Sequence, residues 1–196
     1  LISGITKSNN FSEIKNKIYH NFVNIRRDIA RKQLLSKFGL KEEDITQIIK
    51  SEIKNPIVGK LIENMAKLKL DTSILLAGFE DGKAKICEIE ENGFADFTDI
   101  HFHAIGSGQV QAINTLLFQN QLKKSPLKTT VYNVYKAKRN AEVSSGVGID
   151  TDILIFSEKK CTELSKEDIE ILSKIYNKEL NMGRNSEDLN KLDAFR

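Results

Sequence analysis

Residues 71–108, DTSILLAGFEDGKAKICEIEENGFADFTDIHFHAIGSG, constrain this chain more than any other stretch. Asp81-Gly82 stands between two apolar runs, a strong short-range signal for a hairpin. Before that turn, residues 73–79 are almost wholly apolar (Ile74, Leu75, Leu76, Ala77, Phe79), which predicts a strand buried on both faces. After it, residues 84–90 alternate, with Ala84, Ile86 and Glu88 on one side and Lys85, Cys87 and Ile89 on the other. Glu91-Asn92-Gly93 closes a second turn. Residues 97–105 then read as a third strand, running into Gly106-Ser107-Gly108, a tight turn that opens a helix. An antiparallel meander that feeds a helix is the frame to which the rest must attach.

On the N-terminal side, residues 1–6 (LISGIT) read as a strand, with Gly4 allowing a neighbour close approach. A leucine at position 1, opening directly onto a strand-like segment, predicts a chain truncated or processed at its N-terminus. Asn10 and Glu13 have the spacing of a capping box, and Ile14, Ile18, Phe22, Ile25 and Ile29 form one helical stripe. That helix extends to about residue 37, with room for a break near Arg31 and a stop at Gly39. Glu42, Glu43 and Asp44 open a second helix at the end where the dipole favours acids; Ile45, Ile48, Ile49 and Ile53 line it. Asn55-Pro56 ends or kinks it, so that residues 41–70, with Leu61, Met65 and Leu68 inward, are one kinked helix or two.

Beyond Gly108, Val110, Ile113, Leu116 and Leu117 predict a helix ending near Leu122. Ser125-Pro126 marks the next start, a cap with proline at the first helical position, and Leu127, Val131, Val134 and Tyr135 line that helix. Residues 152–156 (DILIF) read as a strand. Residues 164–168 then cap a last helix with Ile169, Leu172, Ile175 and Leu180 inward, and 183–196 read as a loose tail. Strands and helices come in groups rather than alternating, which argues against a doubly wound parallel sheet. The order predicts an α/β (α+β) chain of one domain over 1–196, layered with antiparallel sheets inside and helix pairs outside.

Composition narrows the function classes. A formal net charge of +3, spread along the chain, gives no argument for nucleic acid. The densest basic cluster, Arg26-Arg27 with Arg31-Lys32, lies at helical spacing and reads as a solvated helix face. No apolar run approaches the roughly 18–20 residues of a membrane span, and no signal peptide is visible. Cys87 and Cys161 belong to no motif, so the reading is of reduced thiols in the cytoplasm. His101 and His103 would share one strand face, yet no third ligand occurs at metal-site spacing. Gly106-Ser107-Gly108 lacks the length and the lysine of a phosphate loop, and no nucleophile elbow is present.

Three signatures in this order resemble the proteasome-type family of N-terminal nucleophile (Ntn) hydrolases: ILLAGFEDGKAKICEIEENG, AIGSG (104–108) and SSGVGIDTDILI (144–155). The resemblance covers residues 1 to about 180. It implies a four-layer αββα sandwich, two antiparallel sheets between helix pairs, and subunits assembled into rings around their active sites. It also implies a peptidase whose N-terminal hydroxyl is activated by its own α-amine. Leu1 has no hydroxyl or thiol, so the nucleophile is expected upstream of it, together with the first strands and their lysine and aspartate. By the same resemblance Ser107 and Ser145 support the nucleophile's surroundings. Glu142 stands where catalytic subunits carry an aspartate, which also fits an inactive scaffold subunit.

The resemblance calls for no metal or organic cofactor. The partners it implies are further copies of the chain in a ring, a peptide or unfolded protein as substrate, and an ATPase or cap; nucleic acid and membrane are not among them. The first reading is therefore a self-compartmentalising peptidase subunit. The alternatives are a non-catalytic structural subunit of the same fold, or an unrelated α/β binding module. Taken without the resemblance, Ser107 is a turn residue capping a helix, and Ser144 and Ser145 are loop residues.

Overall fold

The computed structural model describes residues 10–50, 56–158 and 160–184, with residues 183 and 184 described by their backbone alone. The predicted strand at 1–6, Ile53 and the tail from 185 onward lie outside them. The chain divides into two compact units, 1–99 and 100–196. Both mix helix and antiparallel sheet, the class the order of elements predicts.

In the first unit, helix α1 spans Phe11–Ala30. Asn10 caps it, its Oδ1 accepting from the Glu13 amide at 2.9 Å, while the Glu13 carboxylate pairs with Lys17 at 2.7 Å. The break expected near Arg31 is a turn of π-helix, Arg31–Leu35, followed by a 3-10 turn, Ser36–Phe38. Gly39 stops the run in the left-handed conformation at φ 65°. Ser36 Oγ donates to Arg31 O across the widened turn (2.8 Å). Leu35 is thereby seated with Ile45, Val58 and Leu61 in an apolar cluster. Ile45 comes from α2 (Glu42–Lys50), whose start is held by Asp44 accepting from the Lys41 amide; Val58 and Leu61 come from α3 (Pro56–Lys67). Residues 41–70 thus carry α2 and α3, and residues 51–55 between them, where the kink or break before Pro56 is expected, lie outside those described.

The meander comes next as β1 (Ile74–Glu80), β2 (Lys83–Glu90) and β3 (Gly93–Asp96), in that spatial order. Asp81 and Gly82 have φ of 50° and 72°, the pair of positive values a type I′ turn requires, and Glu80 faces Lys83 across it. Alternation on β2 turns Cys87 and Ile89 inward, where Phe11 of α1 meets them. Gly78 of β1 leaves room for that ring, since a Cβ on it would stand 3.2 Å from Phe11 Cδ2 and the ring would have to give by a few tenths of an ångström. The Glu80 carboxylate accepts from the Ser12 amide, fastening the strand end to the start of α1.

Three expectations fail in this unit. β1 is not buried on both faces, for Leu75 and Ala77 point outward and are exposed. The third strand is 93–96, not 97–105. Phe97 still donates to Ile86 O, but Asp96 Oδ1 then takes the Thr98 amide in a local turn, and His101 adopts φ 70°. A left-handed residue breaks the alternation that would have put His101 and His103 on one strand face. The α1 stripe is also interrupted: Phe22 is buried and Ile29 half-buried, but Ile25 is exposed, and Phe11, with Ile18 and Tyr19, meets the sheet.

In the second unit, α4 (Gln109–Phe118) and α5 (Leu127–Ala141) lie side by side. Pro126 is the N-cap of α5 rather than its first helical residue, and Ser125 Oγ instead accepts from the Leu122 amide (3.1 Å). β4 (Leu154–Phe156) pairs antiparallel with β5 (Cys161–Glu163), a strand too short for any sequence period to reveal. α6 (Lys166–Arg184) starts with a reciprocal cap: Ser165 Oγ accepts from the Asp168 amide, and Asp168 Oδ2 accepts from the Ser165 amide, both at 3.1 Å. The core here is Tyr135, Ile153, Leu172 and Tyr176. Of the apolar residues the sequence picks out on these helices, Leu116, Tyr135 and Leu172 are buried, whereas Val110, Leu117, Leu127, Val134, Ile175 and Leu180 are exposed and Thr115, Asn133, Ala137 and Ala141 are buried in addition.

Candidate functional site

Ser107, Glu142 and Ser145 all belong to the second unit, and its packing brings their two loops together. The turn 106–108 is closed by the Gln109 amide donating to Gly106 O at 3.0 Å, with Gly106 at φ 92°. Gly108 is next, at φ −95°, open to any residue on backbone grounds, yet it is buried. A Cβ there would lie 2.7 Å from Ala141 Cβ, 3.1 Å from Ala141 O and 3.1 Å from Val147 Cγ2. Glycine at 108 and alanine at 141 thus let the start of α4 rest against the end of α5. From the other side, Ser107 Oγ stands 3.5 Å from where a Cβ on Gly146 would be. The Gly-Ser-Gly turn and the Ser-Gly loop, 37 positions apart when counted from Ser107 to Ser144, form one surface.

Ser107 and Ser145 are exposed on that surface. Ser144 differs: its Oγ is buried and has no hydrogen-bond partner among the described residues. The loop keeps its shape through two turn bonds, Ser144 N to Ala141 O (3.0 Å) and Val147 N to Ser144 O (3.2 Å), and through Gly146 at φ 86°. Exposed hydroxyls beside loop backbone can donate to, and accept from, an amine or carbonyl placed over them. That is binding and orienting chemistry.

Glu142 is placed for a different task. It is the C-cap of α5, the end of a helix where the dipole disfavours a carboxylate. Two cations one turn back offset this: Lys138 Nζ at 2.6 Å and Arg139 NH1 at 2.9 Å, with the glutamate side chain only 13% exposed. Lys138 Nζ also donates to Gly148 O at 2.8 Å. The Arg139 guanidinium lies 5.7 Å from the centre of the Tyr176 ring. Tyr176 in turn donates to Asn140 Oδ1 (2.7 Å), and Asn140 Nδ2 donates to Thr115 Oγ1 of α4 (3.0 Å). Burial raises the Tyr176 phenol above its usual value, against the pull of Arg139. A side-chain network therefore runs through α4, α5 and α6 behind the two loops. The motifs that singled out the loops gave no sign of it, although Lys138 and Glu142 at i, i+4 were a signal that could have been used.

The other sequence candidates have structural settings of their own. Arg26 donates to Ala66 O, Arg27 pairs with Glu42 and Arg31 with Asp28, so three members of the basic cluster have partners within the first unit. Cys87 is buried, which pushes its thiol up and away from the reactive thiolate. Among the described residues, no group of three or more His, Cys, Asp or Glu could hold a metal ion, and no helix is long and apolar enough to cross a membrane. No family model, no curated protein and no solved structure matches this chain.

Proposed function

We propose that this chain is the supporting body of a proteasome-type N-terminal nucleophile peptidase subunit, with a four-layer αββα sandwich as its complete fold. The observation that carries the reading is the meeting of the Gly106-Ser107-Gly108 turn with the 144–146 loop at Gly108, Ala141 and Val147. These are two of the three signatures on which the family resemblance rests, and in such an enzyme they border the nucleophile. Peptide hydrolysis would proceed by attack of an N-terminal hydroxyl on the peptide carbonyl, with the α-amine taking the proton. The amine leaving group departs, and water then releases the acyl group. Ser107 and Ser145 would orient the α-amine and the water through their hydroxyls. Leu1 cannot be that nucleophile, so the reading requires a threonine, serine or cysteine freed ahead of it. It also places the protein in the cytoplasm, in a ring of like subunits fed with peptide or unfolded protein by an ATPase or cap.

A second reading, a non-catalytic subunit of the same fold, is favoured by one feature: the Glu142 carboxylate is bound by both Lys138 and Arg139. The two readings separate in an assay of the natural full-length protein on fluorogenic peptides. The peptidase reading predicts hydrolysis that Ser107→Ala and Ser145→Ala each lower about 10- to 100-fold, as misplacement of reacting groups does. A folded natural protein without hydrolysis supports the scaffold. Hydrolysis indifferent to both substitutions removes the two loops from the reaction.

A further inference from the structure

We infer that Lys138 is a positioning residue, a clasp that holds the 142–148 loop closed at both ends against the Ser107 turn. Its ammonium carries three donors, and two of them reach opposite ends of the loop: Glu142 Oε1 at 2.6 Å and Gly148 O at 2.8 Å. Both ion-pair side chains are sheltered, Lys138 25% and Glu142 13% exposed, so the charge-assisted bond is not a fully solvated surface pair.

Arg139 has a different part. It grips the same carboxylate and lies against Tyr176, which fixes Glu142 relative to α6, while Lys138 reaches across to the far end of the loop. Between those ends the backbone turns at Ser144 and at Val147 through isolated bonds, and Gly146 is held at φ 86° beside Ser107. Isolated turn bonds do not define a seven-residue loop; a cross-tie does. The clasp also explains a carboxylate at the unfavourable end of a helix, since Glu142 is the anchor that Lys138 closes upon.

That this loop borders a reaction centre rests on the function proposed above. The clasp itself is a property of α5 and its loop, and is tested without any assay of activity. Amide hydrogen exchange of the full chain is compared for wild type, Lys138→Met, Lys138→Arg and Glu142→Gln. The reporters are the Ser144 and Val147 amides; the controls are Ala112 and Thr130, which donate to Gly108 O and Pro126 O at the starts of α4 and α5. Lys138→Met keeps the length of the stem and removes the charge. It is expected to speed exchange at both reporters about tenfold or more while the controls change less than about twofold. Lys138→Arg, which restores a cation, should bring the reporters back to within about threefold of wild type. Glu142→Gln should loosen the reporters in the same direction, and carries the test if the methionine variant fails to fold. Reporters that do not move in either variant overturn the clasp. So does an equal rise at reporters and controls, which would mark a general loss of stability.

Discussion

The buried side chains of the two units are made of different chemistry. Among the described residues of the first unit the buried apolar positions are Phe11, Phe22, Ala30, Leu35, Ile45, Val58, Leu61, Cys87 and Ile89. In the second, Tyr135 and Tyr176 are buried with Leu116, Ala137, Ala141, Ile153 and Leu172, and Thr115, Gln121 and Asn133 are the buried polar residues among those described. Asn133 Nδ2 donates to Gln121 Oε1 at 2.8 Å, and Gln121 Nε2 donates to Thr130 Oγ1 at 3.0 Å. Apolar burial is non-directional and tolerates small shifts, whereas a hydrogen-bonded network holds only one arrangement. Among the described residues the first unit is thus held by apolar burial, while in the second a buried polar network also ties the segment after α4 to α5.

Four substitutions break or sharpen that contrast, from largest effect to smallest. Ile89→Ala empties a fully buried position of the first unit and should cost about 2–5 kcal/mol, read from the shift in urea midpoint at constant slope. A cost under about 1 kcal/mol would mean that the apolar cluster is not what holds the sheet to α1. Gly108→Ala tests the close approach in the second unit: its φ of −95° suits alanine, so any cost is steric. About 1–3 kcal/mol is expected, and Ala141→Gly in the same chain, which removes the 2.7 Å contact but leaves those with Ala141 O and Val147 Cγ2, should recover part of it. A second-site change that recovers nothing would place the strain elsewhere.

Asn133→Ala strands Gln121 Oε1 and should cost about 1–2 kcal/mol, with the loss concentrated in faster exchange at the Gln121 amide. A uniform loss would make Asn133 a packing residue. The smallest effect concerns pH. Lys136, and after it Tyr132, hold the Glu179 carboxyl below the usual carboxylate value of 4.5. A depressed folded-state value contributes stability that is complete above the unfolded value and lost as pH falls through the folded one. With Glu179 nearly half exposed, the contribution is under about 1 kcal/mol. The stability gap between wild type and Glu179→Gln should therefore be constant above about pH 5 and shrink below it. A gap that widens on acidification would contradict the pairing.

Local chemistry that acts over two to four residues was legible in the sequence. The Asp81-Gly82 turn, the Asn10 cap, the Gly39 stop, the acidic start of α2 and the break at Arg31 all stand where residue type and spacing put them. Alternation on β2 put Cys87 and Ile89 on one side, and that side is the one the structure buries. What failed depended on which side of an element finds a partner. Apolar residues on α4, α5 and α6 marked helices correctly but their buried faces only in part, through Leu116, Tyr135 and Leu172. Asn133, Ala137 and Ala141 pack where close approach and hydrogen bonding matter more than apolar area. The strand expected at 97–105 failed where Asp96 Oδ1 takes the Thr98 amide in a local turn and His101 is left-handed, local geometry that outweighs a favourable composition. For the candidate site, the sequence identified both loops through a resemblance. Their contact through Gly108 was beyond it, because a glycine's missing Cβ acquires meaning only beside a particular neighbour. The partners of Glu142 were written in the spacing of Lys138, Arg139 and Glu142.

The most direct test of the central claim is the N-terminal residue of the natural protein, determined by intact mass and N-terminal sequencing of material purified in its assembled form. The account predicts a threonine, serine or cysteine with a free α-amine, exposed by processing ahead of the residues LISGIT. A natural N-terminus without a hydroxyl or thiol, on a protein that also fails to hydrolyse peptides, would contradict the peptidase and leave the two loops to a structural subunit.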